Sequence, residues 1–185
     1  GFQQNPIVFD RDRQGRVQTV FSGSNPFILN EFDDYGRLVT KHFGTDVTAD
    51  ATTADKINYA YDIRNWPLSI ASSNQIFSEW LAYADNHLNG TTVPGMISQY
   101  NGNIAAAKFA YNQADVNPPI TGIVNYNYDE VNRLTDVVNV SNPTQFQNEQ
   151  ITYKADGRID TKVKSSGAIP TVDIPTYQYY ENKNQ

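Results

Sequence analysis

Residues 126 to 134 read Tyr126-Asn127-Tyr128-Asp129-Glu130-Val131-Asn132-Arg133-Leu134, and this stretch decides the fold. Tyr126 and Tyr128 stand two apart, so on a strand their rings share one face. Asp129 suits the first position of a type I turn, because its carboxylate accepts hydrogen bonds from backbone N–H groups just ahead. Asn132, three residues on, tolerates the left-handed conformation that closes a three-residue hairpin with a bulge. Leu134 then opens a return strand and alternates with polar Thr135. The stretch spells a complete β-hairpin.

Outward from it, the same order of residue types recurs. Copies stand at Phe9, Asp12, Gly15, Arg16, Val17; at Phe32, Asp33, Gly36, Arg37, Leu38; at Tyr59, Tyr61, Asp62, Asn65, Leu68; and at Ile151, Tyr153, Gly157, Arg158, Ile159. A partial copy begins at Tyr177 and Tyr179. Aligned on the Asp position they fall at 12, 33, 62, 129, 154 and 180, where Lys154 and Tyr180 replace Asp, with spacings of 21, 29, 67, 25 and 26. The long gap holds two degenerate candidates: the alternation Phe77, Glu79, Leu81, Tyr83, and Asn101-Gly102 between Ile97–Tyr100 and Ile104–Tyr111, a strong hairpin signal. The predicted organisation is one repeat array over residues 2–185, with repeats near 8–20, 29–42, 57–70, 76–87, 97–111, 124–138, 150–164 and 177–185. Gly1 reads as a scar of tag removal and the chain as a fragment of a longer protein. Repetition of this kind marks architecture, since a catalytic constellation is built once and from different residues.

The predicted fold class is all-β: consecutive antiparallel hairpins forming a curved, open, elongated sheet of ten to fourteen strands. Composition agrees, with 12 Tyr and 9 Phe against one Met, since aromatic side chains suit a pleated, half-buried surface. Pro67 after Asn65 and Trp66 removes a ladder donor and predicts an edge or bulge. Thr45 to Ala54 and Val138 to Asn148 read as polar surface loops, and Thr48 to Lys56 as a short helical turn.

A net charge of -6 and a pI near 4.8 argue against nucleic acid, which needs a basic stripe to displace counterions. No apolar stretch is long enough to span a bilayer, so membrane insertion is not expected. With no cysteine there is no disulfide, thiolate metal site or cysteine nucleophile. No phosphate-cradling glycine loop, serine elbow, zinc spacing or calcium loop is present, so no enzyme activity, metal or cofactor is expected. Asp12, Asp33, Asp62 and Asp129, with Gly15, Gly36, Asn65, Asn101, Gly102, Asn132 and Gly157, are assigned to turns. His42 and His87 lie in unrelated repeats without a partner motif and take surface or strand positions. The arginines at 16, 37, 133 and 158 are expected to stack on an aromatic or pair with a carboxylate. Tyr35 falls inside a turn, Trp66 follows one, and Tyr180 holds the turn-opening position. Large rings at turn tips have no packing reward there and are candidates for stacking on a sugar or a partner.

The repeated unit resembles the YD repeat of Rhs-type proteins, a group that includes insecticidal toxin-complex shells and the teneurins. The resemblance rests on Tyr59 to Trp66, Phe77 to Glu79, Gln99 to Ile104 and Tyr126 to Leu134, in the order found in YD-repeat proteins of Bacteroidetes-type bacteria. It implies strands wound into part of a spiral shell, export or display at the cell surface, and contact with carbohydrate or with other repeats of the parent protein. It also implies a non-enzymatic adhesion scaffold or, alternatively, the wall of a shell that encloses and delivers a toxin. Rhs shells that cleave their own cargo use a core built around Asp-Pro; this chain has no such dipeptide, so that core is expected to lie outside it. Free terminal strands make edge-to-edge association a further expectation.

Overall fold

The computed structural model describes residues 5–44, 47–48, 55–74, 76–112, 119–141 and 148–165. No helix occurs among them. The strands, in order along the sequence, are β1 (Ile7–Arg11), β2 (Val17–Ser22), β3 (Asn25–Phe32), β4 (Leu38–Phe43), β5 (Asp55–Tyr61), β6 (Pro67–Ser72) and β7 (Phe77–Ala82). Two short strands follow, β8 (His87–Leu88) and β9 (Thr91–Thr92). The rest are β10 (Ala106–Tyr111), β11 (Ile120–Tyr128), β12 (Leu134–Asn139), β13 (Asn148–Tyr153) and β14 (Ile159–Ser165). Twelve of them form an antiparallel sheet in which strand order follows sequence order; β8 and β9 pair only with each other. The chain divides into two compact units, Gly1–Trp80 with Ala110–Ile120, and Leu81–Phe109 with Thr121–Gln185.

Five hairpins share one turn. In the first, the Asp12 and Arg16 backbones close it (Asp12 N–H to Arg16 O, 3.0 Å), and the Gly15 N–H returns to Asp12 O at 2.9 Å. The same bonds recur at Asp33, Asp62, Asp129 and Lys154. The fourth turn residue is left-handed in all five: Gly15, Gly36, Asn65, Asn132 and Gly157 have φ between 65° and 86°. This is a type I turn closed by a left-handed residue. Behind each turn the register slips by one. Arg11 faces Val17 while Asp10 faces Thr19, and the same two-against-one count recurs at Phe32 and Leu38, Tyr61 and Pro67, Tyr128 and Leu134, and Tyr153 and Ile159. Pro67 thus sits beside a bulge that every one of the five copies carries.

The first unit is thinly covered: of its apolar side chains only Val20 and Val47 are buried among the described residues, together with His42. In the second unit Tyr83, Leu88, Val93, Ala105, Ala106, Ala107, Val124 and Ile151 are buried. The difference comes from residues 83–105, which leave β7 and return to β10 after folding over the strands. Gln99 N–H donates to Tyr83 O, Asn125 Nδ2 to Pro94 O, and Lys108 Nζ to Thr91 Oγ1, each at 2.8 or 2.9 Å. Next to this layer Gly122 of β11 lies under the Phe109 ring; a Cβ there would stand 2.8 Å from Cε1.

Several expectations need correction. Asn101-Gly102 makes no hairpin: residues 97–105 form no strand and β10 begins at Ala106. Asn101 instead caps a bend, accepting the Asn103 N–H on Oδ1 at 3.0 Å. The Asn-Gly hairpin is at Asn89-Gly90, between β8 and β9, with φ of 47° and 74°, the type I′ pattern. The strand expected to run through Tyr83 ends at Ala82. The segments read as surface loops are partly structured: Val47 is buried, β12 reaches Asn139, and Asn139 is buried where its Oδ1 caps the Ser141 N–H. Of the expected helical turn at 48–56, residues 49–54 lie outside the described residues, and Asp55 and Lys56 belong to β5. The repeat expected at 177–185 also lies outside them.

Candidate functional site

Each turn pairs an acid with an arginine of its own. Asp33 accepts the Tyr35 N–H (3.0 Å) and Arg37 N–H (2.9 Å) on Oδ1 and Arg37 Nε on Oδ2 (2.7 Å). Asp12 does the same with Gln14 and Arg16, and Asp129 with Val131 and Arg133. The pair migrates where the sequence departs from the pattern. At Asp62, Trp66 takes the arginine's place and Arg64, two residues earlier, supplies Nε at 2.8 Å while stacking 4.0 Å over the Trp66 ring. At Lys154 the acid moves to Asp156, which holds Arg158 Nε at 2.8 Å.

These bonds fix the carboxyls as anions. Partial burial acts to raise Asp12, Asp33 and Asp62, but the hydrogen bonds and guanidinium of each turn outweigh it and hold all three below the ordinary carboxylate range. Asp129 is held low chiefly by the Arg133 backbone N–H, and Asp156 chiefly by the Arg158 side chain. A general acid needs the opposite shift, a carboxyl raised toward neutrality. None of the repeated acids carries that upward shift.

Within the first unit the arginines also bind turn to turn. Arg16 lies 4.2 Å over Phe32, the ring that precedes the next turn, and its Nη1 occupies the space a Cβ on Gly36 would need, at 2.8 Å. Arg37 stacks on Tyr61 at 5.1 Å and donates Nη1 to Asp62 O (3.0 Å) and Asn65 Oδ1 (3.2 Å). The Tyr61 hydroxyl donates back to Leu38 O at 2.9 Å. In the second unit Arg133 lies 4.4 Å over Tyr153, whose hydroxyl donates to Leu134 O at 2.7 Å. Asn132 accepts from Asn101 and Asn103. Asn at the left-handed position thus supplies an acceptor to the neighbouring segment where Gly supplies room.

Turns 33–37 and 62–66 enclose a shallow recess of about 190 Å³ lined by Tyr35, Arg37, Tyr61, Asp62, Ile63 and Asn65. Tyr35 is 83% exposed and Ile63 99% exposed at its lip. Arg37 lies 5.1 Å from both tyrosine rings and so stands between them. The recess offers ring faces and amide and guanidinium donors, with its carboxylate already spent. Trp66 is not among its walls; its ring lies under Arg64. Tyr180 lies outside the described residues. Ile63 and Arg37, which sequence reasoning did not single out as ligand contacts, complete the lining.

The two histidines do different things. His42 in β4 is 1% exposed and has Nε2 3.1 Å from Glu31 Oε2. His87 donates through Nδ1 to the Asp85 carboxylate at 2.9 Å and meets Thr92 Oγ1 through Nε2 at 3.4 Å. That acid–imidazole–hydroxyl line is open to water, with His87 and Asp85 both exposed. It ties β8 to β9. Among the described residues no group of three metal-binding side chains converges. Compared with known proteins, the sequence matches no family model and no curated protein.

Proposed function

We propose that this protein is a non-enzymatic structural and binding segment of an exported bacterial Rhs-type YD-repeat protein, a scaffold for adhesion at the cell surface that contacts carbohydrate. One observation carries the reading: turns 33–37 and 62–66 are locked together by arginine, ring and carbonyl, and this lock leaves Tyr35 as an exposed ring beside the Arg37 guanidinium and the Asn65 amide. An exposed aromatic face stacks on the C–H face of a sugar, and amide and guanidinium groups answer its hydroxyls. The reading extends the sheet into the curved, partial spiral of that family.

A glycan array tests it. Binding by the wild-type protein that falls to background in Tyr35→Ala is the expected result, and no binding to any glycan by the folded wild-type protein refutes the glycan contact. The same turn-to-turn locks favour a second reading, in which the segment is wall in a toxin-enclosing shell. That reading predicts no glycan affinity and concentration-dependent growth in light scattering through the edges of β1 and β14.

A further inference from the structure

Two Asn-Gly pairs occur in this protein, Asn89-Gly90 and Asn101-Gly102, and the fold treats them differently. Asn-Gly is the dipeptide most open to intramolecular attack, because a glycine N–H next to the asparagine is unshielded by a side chain. At Asn101 the carboxamide is committed at both ends: Oδ1 accepts the Asn103 N–H at 3.0 Å and Nδ2 donates to Asn132 Oδ1. Turning its Cγ toward the Gly102 nitrogen breaks both bonds.

Asn89 has no such hold. It is exposed at the tip of the β8–β9 hairpin, and no hydrogen bond among the described residues engages its side chain. Apart from Gly90 itself and its chain neighbours Asn89 and Thr91, no atom lies within 4 Å of the place a Cβ on Gly90 would take. The hairpin has two residues in each strand, so opening its tip disrupts little ladder.

We infer that Asn89 is a self-modifying site, at which the backbone nitrogen of Gly90 attacks the Asn89 Cγ. The new bond from that nitrogen to Cγ closes a succinimide as the Cγ–Nδ2 bond breaks and ammonia leaves; water then opens the ring at either carbonyl. The products are aspartate or isoaspartate. The isoaspartate product routes the backbone through the former side chain, lengthening the turn by one methylene beside Leu88, which is fully buried. Modification at Asn89 therefore loosens the segment that covers β10 and β11. Water is the only co-reactant.

The purified protein, incubated in mildly alkaline buffer, is digested and mapped by mass spectrometry with enzymatic detection of isoaspartate. Conversion at Asn89 is expected to run about tenfold faster than at Asn101, the factor that two retaining side-chain hydrogen bonds are worth. In urea, where the fold is gone, the two rates converge. Asn132→Gly, which keeps the left-handed backbone but removes the acceptor, is expected to raise the Asn101 rate several-fold. Equal rates in the folded protein, a ratio that survives urea, or an Asn101 rate unmoved by Asn132→Gly would each overturn the inference.

Discussion

Replacing Gly122 by alanine isolates one packing decision in the second unit. In an ordinary strand this change is favourable, because glycine loses more backbone entropy on folding than alanine, by about 0.5–1 kcal/mol. At Gly122 the added methyl meets the Phe109 ring: Cε1 stands 2.8 Å and Cε2 3.0 Å from it, with Cζ nearer still. Gly122 is buried, so the ring has to leave its present position, and overpacking of this kind costs about 1–3 kcal/mol. The net expectation is destabilisation by about 1–2 kcal/mol, a fall in melting temperature of roughly 2–8 °C for a protein of this size. Thermal unfolding followed by circular dichroism measures it. The background Phe109→Ala supplies the decisive arm: with the ring gone, Gly122→Ala should be neutral or stabilising. If Gly122→Ala stabilises the wild-type protein, or costs the same with and without the ring, the glycine is not there to admit Phe109 and the argument fails.

The remaining predictions concern the turns. Gly15→Asn should cost less than about 1 kcal/mol, since asparagine tolerates the left-handed region and the space there is open, whereas Gly36→Asn should cost more because it displaces Arg16 from beside the turn; chemical denaturation of both compares them. Tyr61→Phe removes the hydroxyl bonded to Leu38 O but not the ring under Arg37, and should lower stability by about 1 kcal/mol in urea titration. Because Asp12, Asp33, Asp62, Asp129 and Asp156 are held low in the fold, their stabilisation is fully present above the ordinary carboxylate pKa of about 4 and is lost as pH falls through their folded values. The urea midpoint should therefore fall steadily below about pH 5, and Asp33→Asn should flatten that fall. Tyr61 and Tyr128 are raised by burial; their contribution holds below the ordinary tyrosine pKa of about 10 and is lost as pH rises past it, which ultraviolet titration alongside circular dichroism detects.

The turns were legible because their chemistry is local: Asp12 and Gly15, or Asp129 and Asn132, need only the four or five residues between them. What lay beyond the sequence depended on register. The bulge that closes each turn is signalled by its left-handed Gly or Asn, but the residue left unopposed carries no mark of its own, Gln18 in one copy and Val39 in another. The arginines were readable as partners of an acid or a ring, yet Arg16 takes both, and which ring it meets is fixed by where β3 lies. Asn89-Gly90 and Asn101-Gly102 carry the same signal. Only the first has strands that can pair on both sides, because Asn101 is tied to Asn132, thirty-one residues away. At the recess, Tyr35 was visible as a ring without a packing partner, while Ile63 joins it only because two turns stand side by side.

Strand order that follows sequence order has a mechanical consequence. A molecule pulled from the end that carries β1 would load the hydrogen bonds of one hairpin at a time, like a zipper opened from its tab, and not all the rungs of a ladder together. Each arginine-and-ring lock would then act as a tooth that gives way separately, so extension should proceed in small steps spaced by the length of a hairpin. The strands that border residues 83–105 would break this rhythm, because a whole folded segment has to be drawn out between one rung and the next.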